Sequence, residues 1–314
     1  MPTKFAGMAL AALTALATTS GIAGAQTYGF VTLQPGSLNH TTASSIAKVL
    51  KERAGMNVLV QPTAGDTVIV PMVGRGEAEI GISNIMEAQD GSERFKDLRL
   101  LTAVHALRTP FFVRKDTTMR TTADLKGKRV AWGYSAMRNL DKVSQAMLAT
   151  AGLTEKDIKP VLVPNVVRGA DDFVSGAVDA FFFAFGAPKV REVDATVNGI
   201  RAIDTDEKGM PAARKILPWG YLTKAAPGPI FIGVEKPMNI YSFDNVLFTH
   251  AKTPDATVYK ILETLEKHHG ELVAVQPVLR EFTPAFGYKK YGAPYHPGAL
   301  KFFADRKLQP RALD

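Results

Sequence analysis

Gly76-Glu77-Ala78-Glu79-Ile80-Gly81-Ile82 and Gly176-Ala177-Val178-Asp179-Ala180-Phe181-Phe182 share one layout, a glycine and an acidic run-in leading to an apolar strand. They stand about a hundred residues apart, and the chain before each is organised alike. Ahead of the first come a strand at Tyr28–Leu33, a polar loop and a helix ending at Ala54-Gly55. The strand Val58–Val60, a second loop and a helix ending at Gly74–Gly76 follow. Ahead of the second come the strand Arg129–Trp132, a loop and a helix ending at Ala151-Gly152, then Val161–Val163, a loop and a helix ending at Gly176. Glycines close the helices because a left-handed C-terminal residue costs them least. Strands alternating with helices in two like units predict an α/β protein of two lobes, each a sheet flanked by helices, with a ligand cleft between them.

The ends and the composition bound what such a cleft can serve. Lys4 is the only charge before residue 26, Phe5–Ala25 is apolar or small, and Ala23-Gly24-Ala25 is an A-x-A-like cleavage site. Residues 1–25 therefore read as a signal peptide, cut after Ala25, and the mature chain is expected in the periplasm. Cysteine is absent, which excludes thiol nucleophiles, thiolate metal sites and redox pairs. The net charge of +8 falls to +7 when Lys4 is removed, and its Lys and Arg residues are scattered. That pattern fits a solvated surface with a mild bias towards anions, not a nucleic-acid stripe, and no nucleic-acid partner is expected.

Beyond residue 200 the repeat stops. Ile200–Ile203, Trp219–Leu222, Ile230–Val234 and Tyr241–Phe248 read as strands, with a short helix over Glu207–Ile216. Helices are expected over Pro254–His268 and Gly298–Arg306, with a loop and short helices over Thr283–Pro297. The apolar run Leu98–Val113 is a natural crossing between lobes, and Tyr221–Val234 a natural return. Lobe one is then 26–106 plus 230–314, and lobe two 107–229.

In open α/β sheets ligands sit off the carboxyl ends of the strands, against helix N-termini. Six loops meet that condition: Gln34–Thr42, Gln61–Thr67, Ser83–Glu87, Gly133–Asn139, Pro164–Gly169 and Ala184–Pro188. The first carries Ser37, Asn39, His40, Thr41 and Thr42, of which one or two are needed to cap the next helix. Thr63, Asp66 and Thr67 crowd the second around Gly65, where Asp66 serves equally well as a plain N-cap. Ser83-Asn84 ends a strand of small residues. In lobe two, Tyr134, Ser135, Met137 and Arg138 offer an aromatic wall, a cap and a guanidinium suited to a ligand carboxylate. On this reading Arg138→Ala weakens binding without unfolding the chain, and Phe185 lines the cleft beyond the Phe181–Phe183 strand.

Nothing demands catalysis. The six histidines show no H-x-x-x-H spacing, and His268 and His269 diverge by about 100° on a helix. No Walker loop, G-x-G-x-x-G or G-x-S-x-G is present. Glu77 and Glu79 do not form an acid/base pair. No enzyme activity, cofactor or metal is expected.

The segments Val60–Thr67, Gly74–Asn84, Ala123–Gly133, Val178–Pro188 and Tyr295–Phe303 follow in order along nearly the whole mature chain. In this ordered set the chain resembles the TAXI-type solute-binding proteins of tripartite ATP-independent periplasmic (TRAP) transporters. The resemblance implies a periplasmic receptor that closes on an organic anion or amino acid and hands it to an ion-gradient-driven TRAP permease; a monomer is expected. It also places ligand contacts in the loops named above. Two loops depart from the family pattern, Gln34–His40 and Tyr134–Met137, each adding bulk and aromatic or imidazole character. The competing readings are an ABC-type substrate-binding protein of the same architecture, for sulfonates or pyrimidine precursors, an enzyme on the same fold, and a cytoplasmic sensor domain.

Overall fold

The computed structural model describes Met1 and residues 26–313. The signal peptide and its cleavage point after Ala25 fall on residues 2–25, outside the described residues, apart from Met1.

Strand β1 (Thr27–Leu33) leads to helix α1 (Leu38–Ala54), which ends at Gly55 with φ +64°. Next come β2 (Asn57–Thr63), α2 (Asp66–Gly74), β3 (Ile80–Asn84) and α3 (Ile85–Arg94). The long strand β4 (Leu98–Arg108) breaks at Thr109-Pro110 before β5 (Phe111–Arg114), so the expected single crossing is two strands in two sheets. Lobe two continues with β6 (Arg129–Trp132), α4 (Asn139–Ala149), β7 (Lys159–Leu162), α5 (Val166–Val174), β8 (Ala180–Phe182), α6 (Pro188–Thr196), β9 (Ile200–Ala202) and α7 (Met210–Ile216). The chain closes with β10 (Tyr221–Ala225), β11 (Met238–His250), α8 (Asp255–Lys267), α9 (His269–Val275), α10 (Pro284–Gly287) and α11 (Pro297–Asp305).

The first sheet runs β10-β11-β3-β1-β2, with β4 on β11, and the second β7-β6-β8-β5-β9. In each, a parallel trio (β2-β1-β3 and β7-β6-β8) meets an antiparallel strand on the flank of its last member, β11 or β5. The protein is thus a two-lobed α/β fold. The repeat has a physical anchor. Glu79 accepts a hydrogen bond from the Gly29 N–H (2.6 Å), and Asp179 accepts one from the Arg129 N–H (2.8 Å). Each acid of the run-in therefore staples the third strand of its trio to the first.

Two expectations change. Ile230–Val234 is not a strand. It follows Pro227-Gly228-Pro229 and turns at Gly233 (φ +81°), whose carbonyl accepts from the Ala202 N–H (2.9 Å). Proline removes donors a strand needs, and the loop caps the edge of the second sheet instead. The chain also rejoins the first sheet at β10, ahead of the boundary at 230.

Apolar faces of both sheets are covered by helices. Gly81 in fully buried β3 lets the Phe248 ring close in, since a Cβ there would lie 2.5 Å from it. The C-terminal segment is tied to β10–β11 by charge. Asp244, 2% exposed, accepts from Lys289 Nζ through both oxygens (2.8 Å each), Tyr221 (2.7 Å) and Tyr291 (2.5 Å). Burial and the Asp244 charge push both phenols up in pKa. Among the described residues, no helix is long and apolar enough to cross a membrane.

Candidate functional site

The loops after β1, β2 and β3 face those after β6, β7 and β8, because in both lobes the carboxyl ends of the parallel strands point to the same gap. There the lobes enclose a cavity of about 50 Å³. Lobe one contributes Leu33, Ser37, Leu38, Asn39, Asp66 and Asn84; lobe two contributes Met137, Leu140, Val166, Phe182, Phe183 and Ala184. Leu107, Thr109 and Phe243, on or next to the strands that link the lobes, form the floor. The volume is small beside the several hundred Å³ usual for ligand pockets, as befits lobes closed tightly on one another.

Closure is held by hydrogen bonds across the gap. The Thr67 N–H and hydroxyl both donate to the Ala136 carbonyl (3.2 Å each). Gln34 Nε2 donates to Asn165 Oδ1 (3.0 Å), and the Lys189 N–H to the Gly36 carbonyl (3.1 Å). Asn139 donates its N–H to Glu87 (3.1 Å) and its amide to Asp90 (3.0 Å). The Thr67 N–H lies in the first turn of α2, where no intrahelical acceptor exists, so the opposite lobe supplies one.

Of the residues expected from sequence, Ser37, Asn39, Asp66, Asn84 and Met137 line the cavity. Ser37 and Asn84 also cap α1 and α3, accepting from the His40 and Glu87 N–H groups (3.1 and 3.0 Å). Ser83 sits behind Asp66 and donates to its Oδ1 (2.5 Å). Thr63 holds the loop through the Thr32 and Gly65 carbonyls (3.0 and 3.3 Å).

The others stand elsewhere. Thr41 accepts from Gln276 Nε2 (2.9 Å) along a separate groove beside Arg191 and Phe231. Half-buried His40, its imidazole pKa lowered by burial, is outside the cavity lining. Tyr134 is fully buried with φ +30°, donates to the Ala131 carbonyl (2.9 Å), and packs edge-on against Phe182 beneath the site. Phe185 is wedged edge-to-face against Phe112 and Phe231 instead of lining the cavity. Ser135 and Arg138 are exposed and outside the lining, which removes the guanidinium from its expected place. Sequence reasoning missed the apolar wall and the Gln34, Glu87, Asn139 and Asn165 latches. Leu33 and Phe182 end strands that feed the chosen loops, so the strand-end rule applied to the strands themselves finds them.

Asn39 is oriented from behind. Asn245 donates its amide to Asn39 Oδ1 (3.0 Å) and lies 3.1 Å from His105 Nε2, while His105 Nδ1 lies 3.1 Å from the Ala106 carbonyl. The carbonyl fixes the proton on Nδ1, leaving Nε2 to accept. Burial lowers this imidazole to about 4. The unfolded chain protonates near 6.5 and the folded one does not, so stability contributed by neutral His105 is lost as pH falls from 6.5 towards 4. Urea midpoints should drop over that window, and His105→Gln should flatten the drop by about 3 kcal/mol at pH 4. An unchanged slope in the variant would exclude His105 as its source.

Two sheets whose parallel strand ends meet at one latched cavity define a two-lobed α/β fold of the periplasmic-binding-protein type. Residues 36–306 match the NMT1-like family, and the chain belongs to that family. Similar folds include a phosphonate ABC transporter binding component from Pseudomonas aeruginosa (TM-score 0.54, 13% identity, 81% of this chain and 78% of that one). The substrate-binding protein of an amino acid ABC transporter gives TM-score 0.51 at 14% identity over 80% and 97% of the two chains. The alkanesulfonate-binding protein of Xanthomonas axonopodis pv. citri, bound to MOPS, gives 0.50 at 17% over 91% and 95%. At these identities the likeness speaks for the fold.

Proposed function

We propose that the protein is an exported solute-binding receptor that closes its lobes on a small solute and delivers it to a membrane transporter. The observation that carries this reading is the interlobe cavity sealed by hydrogen bonds from both sides. A solute that contacts both walls favours the closed arrangement by its differential affinity for it. The signal-peptide-like N-terminus supports a periplasmic location. The hinge is proposed to run through Thr109-Pro110 and the segment between α7 and β10, residues 217–220. The reading includes no chemical step, and a monomer suffices for it.

For the transporter, an ABC-type partner has the better support, since two of the similar folds are named as ABC components. The five ordered TAXI-like segments keep a TRAP permease as the second reading. The test is a thermal-shift screen of refolded protein starting at Gln26 against amino acids, sulfonates, phosphonates and carboxylates. A true solute at a hundred times its Kd adds about 2.7 kcal/mol. Hits confined to one chemical class support a receptor, and the absence of any saturable hit counts against it. Vesicle uptake with the permease encoded beside it then separates the partners: ATP dependence supports the ABC reading, gradient dependence the TRAP one.

A further inference from the structure

We propose that the cleft is built for a solute carrying a protonated nitrogen beside a compact apolar body, with Asp66 as the counterion. The inference rests on the receptor reading and names the solute class that reading leaves open.

Asp66 opens α2 and is 1% exposed, yet it lines the cavity. Ser83 satisfies Oδ1, while Oδ2 is buried without a hydrogen-bond partner. A buried carboxylate oxygen left unpaired is costly, and native interiors rarely tolerate one without a purpose. No Lys, Arg or His among the described residues lines the cavity to neutralise it. The nearby charge works the other way: burial and the negative charge of Glu87 both push the Asp66 carboxyl up in pKa. A cation arriving at Oδ2 relieves both effects, whereas an anion would aggravate them.

Several of the N–H groups that usually welcome anions are already in use. Six helices, α1 to α6, begin at this cleft, and a free N-terminus favours negative charge. In lobe one the His40 N–H is taken by Ser37, the Glu87 N–H by Asn84, and the Thr67 N–H by the Ala136 carbonyl; in lobe two the Asn139 N–H is taken by Glu87, the Arg168 N–H by Asn165, and the Lys189 N–H by the Gly36 carbonyl. Arg138, the guanidinium expected to receive a carboxylate, is exposed. Beyond Asp66, Ser37, Asn39, Asn84 and Thr109 supply neutral polar groups, and Leu33, Leu107, Phe182, Phe183 and Phe243 form an apolar wall suited to a short hydrocarbon body.

The experiment is calorimetry on refolded wild-type protein with probe pairs that differ only at nitrogen. Leucine is paired with its 2-hydroxy analogue, phenylalanine with phenyllactate, and isoamylamine with isoamyl alcohol; butanesulfonate and butylphosphonate serve as nitrogen-free anions. The nitrogen-bearing member should bind about thirtyfold or more tightly than its partner, the loss expected when a buried charge pair is broken. Asp66→Asn should abolish that preference, while Arg138→Ala keeps it. Nitrogen-free anions binding as well as the amines, or a preference surviving in Asp66→Asn, would overturn the inference and leave the receptor intact. The wild-type pairs alone decide the matter if the variant fails to fold. Failure of every probe also overturns it, and mass spectrometry of small molecules co-purifying from periplasm then judges the receptor reading without reference to charge.

Discussion

Gly65→Ala should lower affinity for the solute identified by screening by about a hundredfold, while the solute-free protein keeps its wild-type urea midpoint. A Cβ at Gly65 would lie 2.1 Å from the Ala136 carbonyl oxygen and 2.7 Å from its carbon. Both atoms are backbone, so no side-chain rotation relieves the clash. Gly65 has φ 168°, extended backbone that alanine adopts freely, so the substitution adds no strain within its own lobe. The obstacle exists only when the lobes meet. Opening removes it but forfeits both Thr67 bonds to Ala136 and the burial of the solute. A hundredfold loss corresponds to about 2.7 kcal/mol withdrawn from the closed state. Calorimetry and small-angle scattering would check it. Affinity within threefold of wild type, with ligand-induced compaction intact, would sink the idea that this contact sets closure.

Lys289→Met should cost about 3–5 kcal/mol of stability, because it strands the Asp244 carboxylate in the interior. Tyr221 and Tyr291 would still donate, but neither supplies charge. The double variant Lys289→Met, Asp244→Leu should recover much of the loss, since apolar replacements of a buried pair are often close to neutral. Urea denaturation of the two proteins distinguishes this from a packing effect. A single variant within 1 kcal/mol of wild type would show that water reaches Asp244 when Lys289 is gone.

Much of the architecture was legible in the sequence because it rests on local rules. Periodic apolar strands, glycine-ended helices such as α1 at Gly55, and the run-ins before β3 and β8 all stand where the repeat put them. Ile230–Val234 misled because an apolar run looks the same in a strand and in a packed loop, and only the turn at Gly233 tells them apart. The site was legible as a set of loops, not as a set of side chains. Ser37, Asn39, Asp66, Asn84 and Met137 reach the cavity, but direction inside a loop depends on dihedrals no pattern encodes. Arg138 has α-region dihedrals (φ −59°) just before α4 and is exposed, while Tyr134 at φ +30° turns under its own sheet. The latch between Glu87 and Asn139 was hidden for another reason. Glu87 and Asn139 are partners only across a closed gap, 52 positions apart in the chain.

The latch at Ala136 has a consequence for how such a protein can diversify. What Thr67 grips is a peptide carbonyl, and every amino acid at 136 presents one. Mutation there leaves the grip available so long as the replacement stays clear of Gly65. Met137, the next residue, lines the cavity. Descendants can therefore drift at a residue that shapes the cavity while inheriting the fastening beside it, and a reshaped chamber need not await a new way of shutting.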